Sequence, residues 1–160
     1  MPKYRFGNGI DAHRFSEGRP LILGGVTIPF PQGLLGHSDA DVLTHAIIDA
    51  LLGAAALDDI GAHFPDTDER YKDISSLVLL SKTRELITAA GFQIGQIDAT
   101  IVTQAPKLRP YVAAIRQSLA DCLCLPITAL SVKAKTTEGL GFTGRGEGIL
   151  ALATATLITI

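Results

Sequence analysis

Five strand-like and three helical segments fill this chain in the order β-β-α-α-β-α-β-β, with no linker, repeat or low-complexity stretch between them. That order mixes hairpin and crossover connections. It points to an α+β layer fold, a small mixed β-sheet with helices packed on one face. The strand-like runs are Tyr4 to Phe15, Leu21 to Ile28, Phe92 to Gln104, Leu130 to Lys135 and Ile149 to Ile160. Val, Ile and Thr are frequent in them and turn residues bound them. The helical runs are Asp39 to Ala56, Ser75 to Ala90 and Arg109 to Leu123. Ser38 is expected to cap the first, with Asp41 three residues on completing a capping box. Its expected buried face is Val42, Ala46, Ile47, Ala50, Leu51 and Ala54. Gly91 ends the second helix at C′, Pro110 enters the first turn of the third, and Pro126 follows its end. At 160 residues the chain is expected to form one domain spanning residues 1–160, long enough for a substantial core.

Charge removes some functions. Lys plus Arg number 14 and Asp plus Glu 16, a net charge of −2, with no basic tract. No nucleic-acid surface is expected, although a local phosphate pocket remains compatible. No membrane span is expected either: the apolar run Ile149 to Ile160 is too short and too β-branched. The residues from Met1 to Phe6 lack a signal peptide's apolar stretch. Cys122 and Cys124, two apart on a helix, point in different directions, which suits reduced core-side thiols better than a disulfide. A soluble cytosolic or organellar-matrix protein fits these features.

Chemistry enters with Asp11-Ala12-His13. Residues i and i+2 of a strand share a face, so this carboxylate and imidazole can grip one ion together. His45 lies in the first helix and can add a third ligand from a rigid element packed on that strand. Three Asp/His ligands and an open fourth position describe a catalytic zinc site. Asp49 or Asp41, each one turn from His45, could brace its imidazole. The alternative is that each histidine is an ordinary half-buried polar residue.

Two loops also carry candidate chemistry. Residues Leu57 to Asp68 are acidic and turn-rich, a solvated connection by composition alone. Residues Lys135 to Gly148 hold five glycines with threonine hydroxyls and an arginine, which suits close backbone approach to phosphate or a plain glycine-rich hairpin. The Gly139-x-Gly141-x-x-Gly144 pattern is not a dinucleotide fingerprint, because it leads into a β-branched run and not a helix. Neither a Walker A sequence nor a Gly-x-Ser-x-Gly elbow is present.

Five motifs together resemble the 2-C-methyl-D-erythritol 2,4-cyclodiphosphate synthase family of the non-mevalonate isoprenoid pathway. They are Gly9 to Arg14, Gly36 to His45, Asp59 to Gly61 with Phe64 to Asp68, Gln104 to Lys107, and Gly141 to Gly148. They occur in the family's order and span nearly the whole chain. The resemblance implies that Asp11, His13 and His45 hold zinc, and that Glu138 touches a second divalent ion, Mg²⁺ or Mn²⁺. The implied substrate is a small cytidine diphosphate, 4-diphosphocytidyl-2-C-methyl-D-erythritol 2-phosphate. Its 2-phosphate attacks the β-phosphorus, CMP leaves, and the cyclic diphosphate forms.

By the same resemblance, His37 and Thr136 are the catalytic pair that donates hydrogen bonds to phosphoryl oxygens. Asp11, His13, His37, Ser38, Asp59, Ile60, Gly61, Phe64, Pro65, Asp66, Thr67 and Asp68 contact the erythritol and its phosphates. Thr103, Gln104, Ala105, Pro106, Lys107, Leu108 and Arg109 form the cytidine pocket, and Ala134, Lys135, Thr136, Thr137, Glu138, Phe142 and Arg145 complete the substrate-binding set. Lys135 stands where some relatives have threonine, and Leu108-Arg109 where apolar residues are usual. The family is a homotrimer with active sites between subunits, in which Phe142 and Arg145 line a central cavity; plain core packing is the alternative for Phe142. The stand-alone form is expected, since no cytidylyltransferase segment precedes the motifs, in a bacterial cytoplasm or, as a mature chain, the plastid stroma. Two other functions stay open: a zinc phosphoester hydrolase, and a non-catalytic sensor whose zinc takes a fourth protein ligand such as His63.

Overall fold

Alternation along the two longest strands decides the architecture. The protein is described here by a computed structural model covering Met1 and residues 3–160. Strand β1 (Tyr4–Ser16) runs antiparallel to β7 (Gly148–Thr159), with Asp11 opposite Ala151 and His13 opposite Ile149. Strand β5 (Phe92–Val102) pairs with the other side of β7, and β6 (Leu130–Lys135) joins β5 in parallel. The short β4 (Gly33–Leu34) closes the far edge, giving the order β4-β1-β7-β5-β6. The remaining strands, β2 (Leu21–Leu23) and β3 (Val26–Ile28), form a separate hairpin.

Odd-numbered residues of β1, β5 and β7 face a layer of helices, as the buried Ile97, Ala99, Ile101, Ala151, Ala153 and Leu157 show. Those helices are α1 (Val42–Ala55), α3 (Ser76–Ala89) and α4 (Val112–Leu123), with single turns α2 (Ile60–His63) and α5 (Gly141–Gly144) in the loops. The expected α+β architecture with a mixed sheet is what forms. Helix α1 packs on β1 and β7 and is buried almost all round, Leu43, Ile48 and Leu52 included, because α3 covers its other side. Gly7 and Gly9 let it approach β1. A Cβ on Gly9 would sit 1.9 Å from the Ala46 carbonyl oxygen, and one on Gly7 2.1 Å from that of Ala50.

The expected start of α1 is corrected. The helix begins at Val42, and Asp41 is its cap, accepting from the Thr44 N–H at 3.0 Å. Ser38 instead accepts from the Ala40 N–H within the preceding loop. The fully buried Asp41 carboxylate also accepts from the N–H groups of Gly24 and Gly25 at 2.9 and 2.8 Å. Those two glycines split the expected Leu21 to Ile28 strand into a hairpin, both with positive φ, as a two-residue primed turn requires. Burial and the neighbouring Asp39 push the Asp41 carboxyl up, while the donated N–H bonds oppose them. Asp41 thus ties the hairpin to the helix.

Other expectations need smaller changes. Residues Arg109–Tyr111 form a 3-10 turn ahead of α4. The glycine-rich loop contains the helical turn α5, so it is not a simple hairpin. Both cysteines are free, but only Cys122 is half-buried; Cys124 is exposed at the left-handed end of α4. Among the described residues no helix is long and apolar enough to cross a membrane.

Candidate metal centre and flanking clefts

Strand β1 delivers Asp11 and His13 to the helix-facing side, and α1 brings His45 over them. Asp11 Oδ2 lies 2.9 Å from His13 Nε2 and 3.1 Å from His45 Nδ1, and the two imidazole nitrogens are 3.3 Å apart. The other ring nitrogens settle where the protons are. His13 Nδ1 lies 2.7 Å from the Leu35 carbonyl oxygen, which can only accept, so Nδ1 carries the proton and Nε2 the lone pair. His45 Nε2 faces the hydroxyls of Ser76 at 2.9 Å and Ser38 at 3.1 Å, which leaves Nδ1 for the centre. Three acceptor atoms therefore converge with nothing between neutral rings to hold them together. Such a cluster demands a cation, either a proton or a metal ion. These three residues are the only His/Cys/Asp/Glu group among the described residues able to hold a metal.

The electrostatics agree. Burial works against the Asp11 charge, but the neighbouring His13 and His45 imidazoles, which donate to it once protonated, outweigh burial and hold its carboxyl at about 2. Burial also works against a protonated His13, yet the Asp11 carboxylate raises that imidazole above 6.5. The donor set of two imidazoles and one carboxylate suits zinc, and its side facing the cleft is open. The expected bracing of His45 by Asp49 or Asp41 does not occur. Asp49 accepts from the Ile60 N–H at 2.8 Å, fixing the start of α2, and Asp41 is used up by the hairpin. His63 is no fourth ligand: its Nε2 meets the Leu57 carbonyl at 2.6 Å, outside the triad.

A cleft of about 390 Å³ opens from the triad and is lined by Asp11, His13, His37, Ser38, His45, Ile60, Gly61, Phe64, Pro65 and Asp66 among others. Asp59, Thr67 and Asp68, expected beside them, are not in its wall. Asp59 caps α2 through the Ala62 N–H, and Asp68 accepts from Arg70 while its carbonyl meets His37 Nε2 at 3.0 Å. Tyr71 and Leu79 complete the wall, and no local sequence pattern marked them.

A second cleft of about 860 Å³ lies at the other edge of the sheet. Its wall includes Thr103, Gln104, Pro106, Lys107, Leu108, Arg109, Ala134, Lys135 and Thr136 from the expected set, with Ala105 absent. Arg116 and Lys133, which the sequence did not single out, add two more cations. Thr137, Glu138, Phe142 and Arg145 line neither cleft of the single chain. Both clefts open at the same end of the sheet, where β1, β5 and β6 finish, but the strand order puts β7 between them. They share no lining residue among those described.

The model of the YgbB family matches residues 4–158. The chain belongs to this family. A relative named 2-C-methyl-D-erythritol 2,4-cyclodiphosphate synthase, from Syntrophobacter fumaroxidans (strain DSM 10017 / MPOB), is 59% identical over 153 residues, covering 96% of each chain. A solved structure of a 2-C-methyl-D-erythritol 2,4-cyclodiphosphate synthase in its CDP-bound form matches with a TM-score of 0.88 and 41% identity, covering 96% of this chain and 99% of that one. The bifunctional IspDF of Campylobacter jejuni matches with a TM-score of 0.96 and 42% identity, and the chain spans 43% of its length. Sequence motifs and fold of this YgbB-family chain thus agree.

Proposed function

We propose that this chain converts 4-diphosphocytidyl-2-C-methyl-D-erythritol 2-phosphate into 2-C-methyl-D-erythritol 2,4-cyclodiphosphate and CMP, as a zinc-dependent cyclising lyase. One observation carries the reading: a cation-demanding Asp/His triad in one cleft, and a second cleft rich in lysine and arginine at the same end of the sheet. The reaction must bring one phosphate onto another. Zinc bound to Asp11, His13 and His45 would supply Lewis acidity toward the β-phosphate.

The chain's own groups supply the rest. Lys107, Arg109 and Lys135 offset the charge of the nucleotide diphosphate in the larger cleft. Ile60, Phe64 and Pro65 give the smaller cleft an apolar wall that keeps the erythritol folded and water out. His37 holds its Nε2 against the Asp68 carbonyl and can turn that N–H to a phosphoryl oxygen as charge develops there. Thr136 Oγ1 bonds to Glu138 Oε1 at 3.1 Å, so the hydroxyl and the carboxylate meet the substrate as a pair. Glu138 sits at φ +53, in the left-handed region that costs a non-glycine residue about 1 kcal/mol. Retaining that strain suits a side chain held for a second, oxygen-liganded ion, Mg²⁺ or Mn²⁺.

Assembly as a homotrimer would join the two clefts. The face of the sheet away from the helices carries Tyr4, Phe6, Ile10 and Leu152, exposed by 59, 76, 60 and 40%. An apolar patch of that kind calls for a partner. With the clefts on opposite edges, the metal edge of one subunit meets the nucleotide edge of the next around a closed ring. Phe142 and Arg145 then face a cavity near the axis. The bacterial source of the matched relatives fits a cytoplasmic setting.

The deciding experiment is incubation with the cytidyl substrate. CMP with the cyclic product supports the cyclase. CMP with an open diphosphate would make the protein a zinc hydrolase instead, and no turnover would make it a sensor. Glu138→Gln should shift the midpoint of the Mg²⁺ or Mn²⁺ titration and leave zinc content alone; an unchanged titration removes the second-ion role. Mixed trimers of His13→Ala and Thr136→Ala chains should regain activity at about a quarter of their sites, since each subunit interface is the same head-to-tail contact. No gain over either variant alone rules out shared sites.

A further inference from the structure

We propose that Ser76 and Asp39 are positioning residues of the metal centre, forming one hydrogen-bonded chain, Asp39–Ser76–His45, that aims His45 Nδ1 at the ion. The inference rests on the reading of Asp11, His13 and His45 as metal ligands. Ser76, the first residue of α3, is completely buried, with its hydroxyl at the Nε2 edge of the His45 ring. Its hydroxyl donates to Asp39 Oδ1 at 2.5 Å. A hydroxyl has one proton, and that proton is spent on a carboxylate that can only accept. Toward His45 Nε2, 2.9 Å away, Ser76 Oγ is therefore an acceptor, so Nε2 carries the hydrogen, with Ser38 Oγ its more distant neighbour at 3.1 Å. The imidazole is left with its lone pair on Nδ1, facing Asp11 Oδ2 and His13 Nε2.

Metal-bound imidazoles commonly donate their second N–H to a carboxylate, which fixes ring orientation and raises ligand basicity. Here a buried serine stands between the two. The carboxylate end is itself anchored: Asp39 Oδ2 accepts from the Ser76 N–H at 3.0 Å and Oδ1 from the Asp41 N–H at 3.2 Å. The Asp39 backbone also pairs with Ile74, and that of His37 with Asp73. One knot thus holds the His37–Ser38 loop, the start of α3 and the imidazole of α1. Asp39 and Ser76 are 37 residues apart, and neither is one of the three candidate ligands.

Zinc affinity of the purified full-length protein, measured by competition with a zinc-binding dye, tests this without relying on turnover. Ser76→Ala should weaken zinc binding by about 10–100-fold, the usual cost of losing an outer partner of a ligating histidine. Asp39→Ala should fall in the same range, and the double variant should be no weaker than the worse single one, because the two act in series. Thr83→Val is the control. Its buried hydroxyl bonds to the Leu79 carbonyl in the same helix and does not reach the site, so zinc affinity should stay within about twofold while stability falls. Nitrogen NMR of the zinc-free protein should show the His45 proton on Nε2 in the wild type and shared between both ring nitrogens in Ser76→Ala.

Ser76→Ala binding zinc as tightly as wild type overturns the proposal. So do additive losses in the double variant, or an equal loss in Thr83→Val, which would trace the effect to general loosening of α3. A wild-type protein that takes up no zinc overturns the metal reading itself, and this inference with it.

Discussion

His45→Ala is expected to weaken zinc binding by more than about 100-fold, beyond what loss of an outer partner costs, and to cut cyclisation to below about a thousandth. The fold should survive, since His45 sits at the half-buried edge of a helix held by Leu43, Ile47, Leu51 and other apolar residues. Metal content by atomic emission and product formation by phosphorus NMR check both parts. Full zinc with normal activity in the variant would remove His45 from the site. The wild type should also release zinc on acidification. Metal and proton compete for the His13 Nε2 lone pair, and the Asp11 carboxylate holds the His13 imidazole above 6.5 against burial. Zinc retention therefore falls as pH drops through that raised value, while Asp11, held at about 2, stays ionised throughout. In the zinc-free protein the sign reverses. Protonated His13 contributes its stability in full below 6.5, and the contribution fades as pH rises through the folded value.

Gly9→Ala is expected to be nearly as damaging, through the fold. The new Cβ would lie 1.9 Å from the Ala46 carbonyl oxygen and 2.8 Å from the Ala50 nitrogen, both backbone atoms that no rotamer can move. Overpacking of this kind costs about 3 kcal/mol or more, a drop in melting temperature of about 6–12 °C for a chain of this size. The helix can accommodate the methyl only by lifting off β1, which draws His45 away from Asp11 and His13. Zinc affinity should therefore fall together with stability. Gly53→Ala gives the opposite sign, because its Cβ meets only the Asn8 carbonyl oxygen at 3.8 Å and alanine favours the helix by about 0.5–1 kcal/mol. A Gly9→Ala protein that melts within about 2 °C of wild type would show that the helix and strand do not meet as described.

Those two residues also mark the division between what sequence and tertiary structure decide. Local periodicity is enough to put Asp11 and His13 on one face of a strand and His45 on a helix, because each pattern is set by neighbours a few residues away. The boundaries of β6 and the layer order followed from the same kind of signal. Periodicity is silent on which strand the helix crosses, at what depth, and with what partners. Gly9 looked like part of a motif, and only packing shows that its missing side chain is what admits the helix. Helix spacing offered Asp41 and Asp49 as braces for His45. The fold sends Asp41 to the Gly24-Gly25 turn and Asp49 to the Ile60 N–H, and brings Ser76 and Asp39 from another helix and loop. Buried hydrogen-bonding capacity is shared across the whole core, so its allocation depends on contacts between residues dozens of positions apart. The sequence alone singled out Asp11, His13 and His45 and the family; the tertiary structure decided which buried groups back the triad and why the cleft rich in lysine and arginine lies on the opposite edge.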